Sequence, residues 1–346
     1  MKGRSSGNQR VWRAVAALAF VIVLAIVLVG ATAAGATWWW LDRPLPLAGA
    51  SAELSIESGA TPREVAQAWV EAGVQTAPRL LYEWFRWSGQ ARRIRAGSYE
   101  IDANTSPRGL LAKMVQGDET LERVRFIEGW TLRQLRAAMA SAPHLKPSTA
   151  DLNDAQLMAA LGAPGLAAEG RFFPDTYVYS RGVSDLTVLR RAHKSMQKRL
   201  DDIWAERAAD TPLKNEAEAL TLASIVEKET GIAADRGLVA GVFVNRLRIG
   251  MLLQTDPTVI YGLGAAFDGN LRKRDLLTDT PYNTYTRSGL PPTPIALPGM
   301  ASLRAAVRPQ PTKALYFVAR GDGSSVFSET LAEHNRAVNK YQRALP

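Results

Sequence analysis

Residues 217–230 read AEALTLASIVEKET, an apolar run at helical period that stops on three consecutive charges, Glu227, Lys228 and Glu229. Ala217, Leu220, Ser224 and Glu227 recur at spacings of three and four, so Glu227 continues a face otherwise made of apolar and small residues. A carboxylate at the rim of a cleft is partly desolvated, which favours its protonated form, as a general acid working near neutral pH requires. Glu229, two residues on, points elsewhere, so the two acids are not a facing pair. Residue chemistry leaves a second reading of equal standing, in which a Glu of this helix pairs with Arg246 or another nearby base. The helix itself is expected to begin near Thr211 and Pro212.

Downstream, Asp235 to Arg248 reads as a second helix with Val239, Val242, Phe243 and Arg246 along one face. The chain then changes character. Gly250 to Gly264 is an apolar surface interrupted by Gln254, Thr255, Asp256, Pro257 and Tyr261, and a long loop follows with Tyr282, Asn283, Thr284, Tyr285, Thr286, Gly289, Leu290, Pro291 and Pro292. Hydrogen-bonding side chains interleaved with aromatic rings are the composition of a sugar-binding groove. The same residues also build ordinary turns. Ala314–Ala319 and Ser325–Phe327, separated by Gly321, Asp322 and Gly323, read as a hairpin, and a final helix starts near Glu329. Upstream, Leu121–Ile127 reads as a strand, Thr131 and Gln134 form a capping box, a loop-rich region reaches Asp175, and Ser184–Ala208 forms a long basic helix.

At the other end, Ala14 to Leu41 carries no charged side chain, which is long enough to cross a hydrocarbon core of roughly 30 Å. Lys2, Arg4, Arg10 and Arg13 precede it with no acid, placing the short tail in the cytoplasm and everything after Trp38, Trp39 and Trp40 outside. The rival reading is a cleaved signal peptide using the small residues from Ala31 to Ala36. The formal charge of +9 includes those four bases and leaves a moderately basic exterior, suited to an anionic membrane surface or wall polymer. Nucleic acid is disfavoured by the topology. The chain has no cysteine, which removes disulfides, thiolate nucleophiles and Cys-ligated metals. Its three histidines, His144, His193 and His334, show no ligand spacing, so no metal or other cofactor is expected, an all-carboxylate site staying open.

Leu41 to Ala52 reads as a linker. A strand near Leu54–Ile56 precedes a helix with Thr61 as N-cap, Pro62 at its first position and Glu64 closing a capping box. A helix from Arg79 to Trp87, an alternating segment from Ile94 to Ile101, and a helix from Ser106 to Gly117 complete a small unit. Trp84, Phe85 and Trp87 suit a core better than a carbohydrate platform.

Taken in order, Glu169-Gly-Arg-Phe-Phe-Pro-Asp-Thr-Tyr177, Ala223-Ser-Ile-Val-Glu-Lys-Glu-Thr230, Val244-Asn-Arg-Leu247, Leu253-Gln-Thr-Asp-Pro-Thr-Val-Ile-Tyr-Gly262, Tyr282-Asn-Thr-Tyr285 and Gly289-Leu-Pro-Pro292 closely resemble the YceG-like endolytic murein transglycosylase family. Ala96-Gly-Ser-Tyr99 adds a LysM-like resemblance over residues 53 to 120. The resemblance implies an α+β protein with a cytoplasmic tail (1–13), a single transmembrane helix (14–41), a linker (42–52), a small LysM-like α/β subdomain (53–120) and a larger mixed α+β catalytic domain (121–346). It also implies cleavage of the β-1,4 bond between N-acetylmuramic acid and N-acetylglucosamine inside peptidoglycan strands, without water, leaving a 1,6-anhydromuramic end. Peptidoglycan is then the substrate, and peptidoglycan synthases or penicillin-binding proteins are the implied protein partners. Glu227 corresponds to the single catalytic acid. Gln254, Asn283 and Tyr285, with Thr255 and Asp256, are the candidates for holding the glycan, and Lys228, Glu229 and Arg246 for supporting the helix end. Thr293 departs from the family, which often has Gly there.

Overall fold

A computed structural model describes residues 6–57 and 59–343, with side chains at 18, 20–57 and 59–342; the tail read at 1–13 falls in part, at 1–5, outside the described residues, as do 344–346 of the catalytic domain. The chain divides after Leu121 into two compact units.

The first unit opens with α1 (Ser6–Asp42), whose stretch Phe20–Asp42 is long and apolar enough to cross a membrane. Two hydroxyls of this stretch are satisfied within the helix: those of Thr32 and Thr37 donate to the Leu28 and Ala33 carbonyls one turn back. Strands β1 (Ser51–Ile56) and β2 (Gly97–Asp102) pair antiparallel, Ser51 opposite Asp102 and Ile56 opposite Gly97. Between them lie α2 (Pro62–Glu71) and α3 (Pro78–Trp87), and α4 (Pro107–Gln116) follows. Local chemistry sets the ends. Thr61 and Glu64 make the reciprocal capping box, and Gly117, at φ 75°, closes α4 in the left-handed conformation that a residue without Cβ adopts cheaply. Trp69, Leu81, Phe85, Tyr99, Leu110 and Met114 form the core. Phe85 therefore belongs to the interior as its spacing suggests, whereas Trp87 of the same helix is 78% exposed.

In the second unit, β3 (Leu121–Arg125) pairs with β4 (Thr176–Ser180). Between them come α5 (Leu132–Ser141), started by the Thr131–Gln134 box, and α6 (Asp154–Ala160), capped by Asn153. The region up to Asp175 is thus less loop-like than expected: α6 is only seven residues, too short to show a helical period in sequence. Next are α7 (Asp185–Ala205), α8 (Glu216–Glu229) and α9 (Ala233–Arg248). Helix α8 starts later than Thr211, because the Asn215 side chain accepts from Glu218 N and the Glu218 carboxylate accepts from Lys214 N. Residues 219–226 of α8 are all buried, so it is a central helix rather than one with a single inward face.

Around α8 pack α7, α9, α10 (Asp256–Leu263) and α12 (Met300–Val307), with α11 (Lys273–Leu277) beside α10. Leu220, Ile225, Val239, Phe243, Ile295 and Leu303 are among the residues of this core; a second cluster under β3 and β4 includes Phe126, Leu135, Phe172 and Val188. The hairpin of β5 (Tyr316–Ala319) and β6 (Ser325–Ser328) packs Phe317 edge-on against Phe243, and α13 (Leu331–Val338) follows.

Candidate active site

Helix α8 carries buried apolar residues up to Val226 and then delivers three charges into three different surroundings. Glu227 is half-buried, and its Oε2 accepts a hydrogen bond from the backbone N–H of Gly299, the N-cap of α12, at 2.9 Å. Among the described residues its Oε1 has no hydrogen-bond partner. One oxygen is therefore fixed by backbone and the other is free to meet a substrate. Lys228 is exposed, its Nζ 3.4 Å from the Gly129 carbonyl oxygen.

A second carboxyl stands beside Glu227. A Cβ on Gly299 would come within 1.8 Å of Glu128 Oε1, so Glu128 lies directly over the glycine whose N–H holds Glu227. Partial desolvation and the negative charge of Glu227 push the Glu128 carboxyl above its ordinary range, with Arg236 pulling the other way. The segment bearing Glu128 is fixed by two backbone bonds, Gly129 N to Leu297 O at 2.8 Å and Leu297 N to Trp130 O at 2.7 Å. Nothing in the spacing of residues 126–131 points to this acid; the signal available was a Glu-Gly step between a strand and a capped helix, with Gly129 at φ 77°.

Glu229 turns to the opposite side. Its carboxylate accepts from Thr255 Oγ, and burial drives its pKa up to about 7; the hydrogen bond works against that, Asp256 adds to it, and Arg246 opposes it. Thr255 N donates to Thr284 Oγ, whose hydroxyl also meets Thr258 Oγ at 2.9 Å, so a buried ladder of hydroxyls ties the α10 N-terminus to the 283–285 loop. Asp256 Oδ1 accepts from the Tyr285 hydroxyl at 2.6 Å. Burial, followed by that carboxylate, raises the Tyr285 pKa.

The other candidates separate into free and committed groups. The side chain of Gln254 is exposed, and its backbone holds φ at 48°, a conformation uncommon for a non-glycine residue. Asn283 is buried and fully engaged: its amide donates to the carbonyls of Asp275, Leu276 and Thr278, and its Oδ1 accepts from Tyr285 N. Arg246 is likewise a brace, donating from Nε to Leu315 O and from Nη1 to the Leu252 and Leu253 carbonyls. Its guanidinium is hydrogen-bonded to three backbone oxygens and not to Glu227.

Lys228 opens onto a cleft of about 930 Å³ whose walls include Arg133, Arg136, Ile260, Tyr261, Phe267 and Tyr282. Glu169 lies in its floor, 7% exposed. It accepts from Leu132 N, at the first turn of α5, and from the Tyr261 hydroxyl, and burial raises its pKa to about 7. The Tyr282 hydroxyl lies 2.7 Å from Thr293 Oγ. Thr293 thus adds a hydrogen bond to the wall of this cleft. Tyr261 packs on Tyr282 with ring centroids 4.9 Å apart.

The end of α8 thus presents a half-buried acid with one pinned oxygen and a neighbouring carboxyl, while the aromatic-walled cleft lies on the side of Lys228, with Glu227, Gln254, Asn283 and Tyr285 outside its lining. Residues 54–340 match the YceG-like family. The chain is 33% identical over 308 residues to the endolytic murein transglycosylase of Bacillus subtilis strain 168, spanning 83% of this chain and 84% of that protein. It is 26% identical over 361 residues to the endolytic murein transglycosylase of Streptococcus pneumoniae serotype 2 strain D39, spanning 93% of this chain and 65% of that protein. A crystal structure of a yceG-like protein from Listeria monocytogenes superposes with a TM-score of 0.53 at 28% identity, covering 83% of this chain and 98% of that one.

Proposed function

The chain belongs to the YceG-like family, and from that membership and the geometry at Glu227 we infer that it is an endolytic murein transglycosylase. It cuts the β-1,4 bond between N-acetylmuramic acid and N-acetylglucosamine within a peptidoglycan strand and leaves a 1,6-anhydromuramic end. The observation that carries the mechanism is the asymmetric setting of Glu227, with Oε2 held by Gly299 N–H and Oε1 unpartnered among the described residues.

Protonated Glu227 gives its proton to the glycosidic oxygen as the bond from C1 of the muramyl residue breaks. The resulting carboxylate then takes the proton of the muramyl 6-hydroxyl as that oxygen attacks C1. Water is neither consumed nor needed, and Glu227 ends in its starting form. The N-acetyl carbonyl of the same sugar stabilises the positive charge at C1. Gln254, whose exposed amide has no partner among the described residues, and the Tyr285–Asp256 pair hold the glycan, while Thr255, buried against Glu229 and Thr284, acts through the loop it braces. Asn283 acts through the loop it ties together. Lys228 and Glu229 orient the helix end, and Arg246 holds α9 against the following loops.

Glu128 supports a second reading. Hydrolytic glycosidases use two carboxyls flanking the bond, one as acid and one as base or nucleophile, and Glu128 beside Glu227 supplies a second. In that reading the new end is a reducing muramic acid carrying an oxygen from water. Family membership favours the first.

Helix α1 anchors the chain in the cytoplasmic membrane with its N-terminus inside and both units outside, where nascent strands and the synthases that make them are met. Shortening those strands limits their elongation. The first unit, with its strand–helix–helix–strand order, is a LysM-like second contact with glycan. Incubating the full chain, wild type and Glu227→Gln, with uncrosslinked strands tests the assignment: shorter internal fragments from wild type alone support it. Fragments from neither protein, with both folded and with strand binding retained, leave a non-catalytic wall-binding scaffold.

A further inference from the structure

Helix α3 has one face in the core of the first unit and another that is bare. Leu81 and Phe85 are fully buried, while Leu80 and Trp87 are 51% and 78% exposed. Leu80, Trp84 and Trp87 are spaced four and three apart, so they form one stripe. Trp84 is oriented by a hydrogen bond from its Nε1 to Pro107 O at 3.1 Å.

This stripe does not face open solvent on its own. Together with the end of α1 it encloses an apolar groove of about 900 Å³, whose α1 wall includes Ala34, Ala36, Trp38 and Trp40. The α1 end is fastened to the same unit: Arg108 Nε bonds Asp42 Oδ1 at 2.8 Å, and its guanidinium lies over both Trp38 and Trp84, at 5.1 and 5.7 Å. Ala34 is eight residues before Asp42, about 12 Å along the helix. With the apolar stretch ending at Asp42, that wall runs from the interfacial zone into the acyl region of any bilayer α1 crosses. Whatever fills the groove must be apolar at its base. Exposed Arg79 and Arg86 lie on α3 and Arg92 and Arg93 just beyond it; Glu83 and Arg86, paired at 2.8 Å, also line the groove, and Trp87, whose Nε1 donates to Glu83, has an amphipathic ring suited to the headgroup level.

We propose that α3 is an interfacial helix: Leu80, Trp84 and Trp87 sit in the bilayer surface beside α1, acyl chains fill the groove, and the flanking arginines meet anionic phospholipid headgroups. A saccharide stacked on Trp87 would not fill a groove walled by Ala34 and Ala36. The proposal rests on reading α1 as a membrane span. Its consequence is that the first unit is held against the membrane at a fixed depth, by two elements instead of one tether.

The absence of cysteine makes the test clean, since any introduced thiol is the only one. Leu28→Cys, Leu80→Cys, Trp87→Cys and Gln67→Cys, each in the full chain, carry a nitroxide label. They are reconstituted in vesicles of phosphatidylethanolamine and phosphatidylglycerol. Relaxation by oxygen, which concentrates in the bilayer, is compared with relaxation by a water-soluble nickel chelate. Labels at 80 and 87 are expected to favour oxygen several-fold over the label at 67, an exposed position of the same unit. If 80 and 87 match 67 while 28 is bilayer-embedded, the span holds and the proposal fails. Shielding of 80 and 87 from both reagents overturns it in favour of protein contact at this face. A water-exposed label at 28 removes the span itself, and the proposal with it.

Discussion

Glu227 works in this account because α8 ends where it does. One carboxylate oxygen is held by Gly299 N–H and the other is left open. Glu227→Gln keeps the shape and removes the proton, so turnover should fall by about a thousandfold, in the range for loss of a general acid, with the thermal midpoint nearly unchanged. Rates on glycan strands alongside circular dichroism check both halves. Glu128→Gln separates the two mechanisms at this scale: a one-carboxylate enzyme keeps its products and loses about tenfold or less, whereas a two-carboxylate enzyme loses activity as severely as Glu227→Gln does. The position of Glu227 near the end of an apolar helix was legible in sequence because an acid continued a helical face. Glu128 was not, because it reaches the site through the Gly129–Leu297 and Leu297–Trp130 backbone bonds, which join segments far apart in the chain. Asn283 was legible as a polar loop residue, but nothing in its spacing shows that its amide is spent on three carbonyls.

At the scale of elements, ends with their own caps were readable and ends capped from afar were not. The Thr61 and Thr131 boxes lie within four residues of sequence. Helix α12 has no side-chain cap at Gly299, whose N–H instead meets Glu227 from 72 positions upstream, and so α12 left no local mark. Helix α5 is similar in receiving Glu169 at its first turn, although its own box made it visible. That carboxyl has a raised pKa of about 7 against an ordinary 4.5. Its folded form binds the proton more tightly, so its contribution is fully present below the ordinary value and is lost as pH rises through about 7. The loss is on the order of 3 kcal/mol, and Glu169→Gln should abolish that part of the pH slope in denaturant unfolding between these limits. Close packing of α9 gives a second prediction. A Cβ at Gly241 would stand 2.8 Å from Gln310 O and 2.7 Å from Thr312 Cγ2. Gly241→Ala should therefore destabilise the second unit by about 1–2 kcal/mol, despite the roughly 1 kcal/mol that Ala gains over Gly in a helix interior; chemical denaturation gives the sign.

For the whole molecule, the charge-free stretch before Leu41 and the turn to polar, helix-and-strand sequence after it were enough to separate an apolar helix from a mixed α+β remainder. Both are present, with Phe20–Asp42 as the stretch long enough to cross a membrane. The central position of α8 was hidden, because the spacing of 217, 220, 224 and 227 reads as one apolar face whereas residues 219–226 are buried on every side. The exposed stripe on α3 was hidden for the opposite reason: Trp84, Phe85 and Trp87 look alike in sequence, and only the fold sends one inward and another out. Mass spectrometry of products formed in heavy-oxygen water tests the chemistry assigned to Glu227 most directly. The full chain, wild type and Glu227→Gln, is incubated with uncrosslinked glycan strands. Internal fragments ending in anhydromuramic acid with no incorporated heavy oxygen, from wild type alone, are the predicted result. Reducing muramic ends carrying heavy oxygen, or the same fragments from Glu227→Gln, would contradict it.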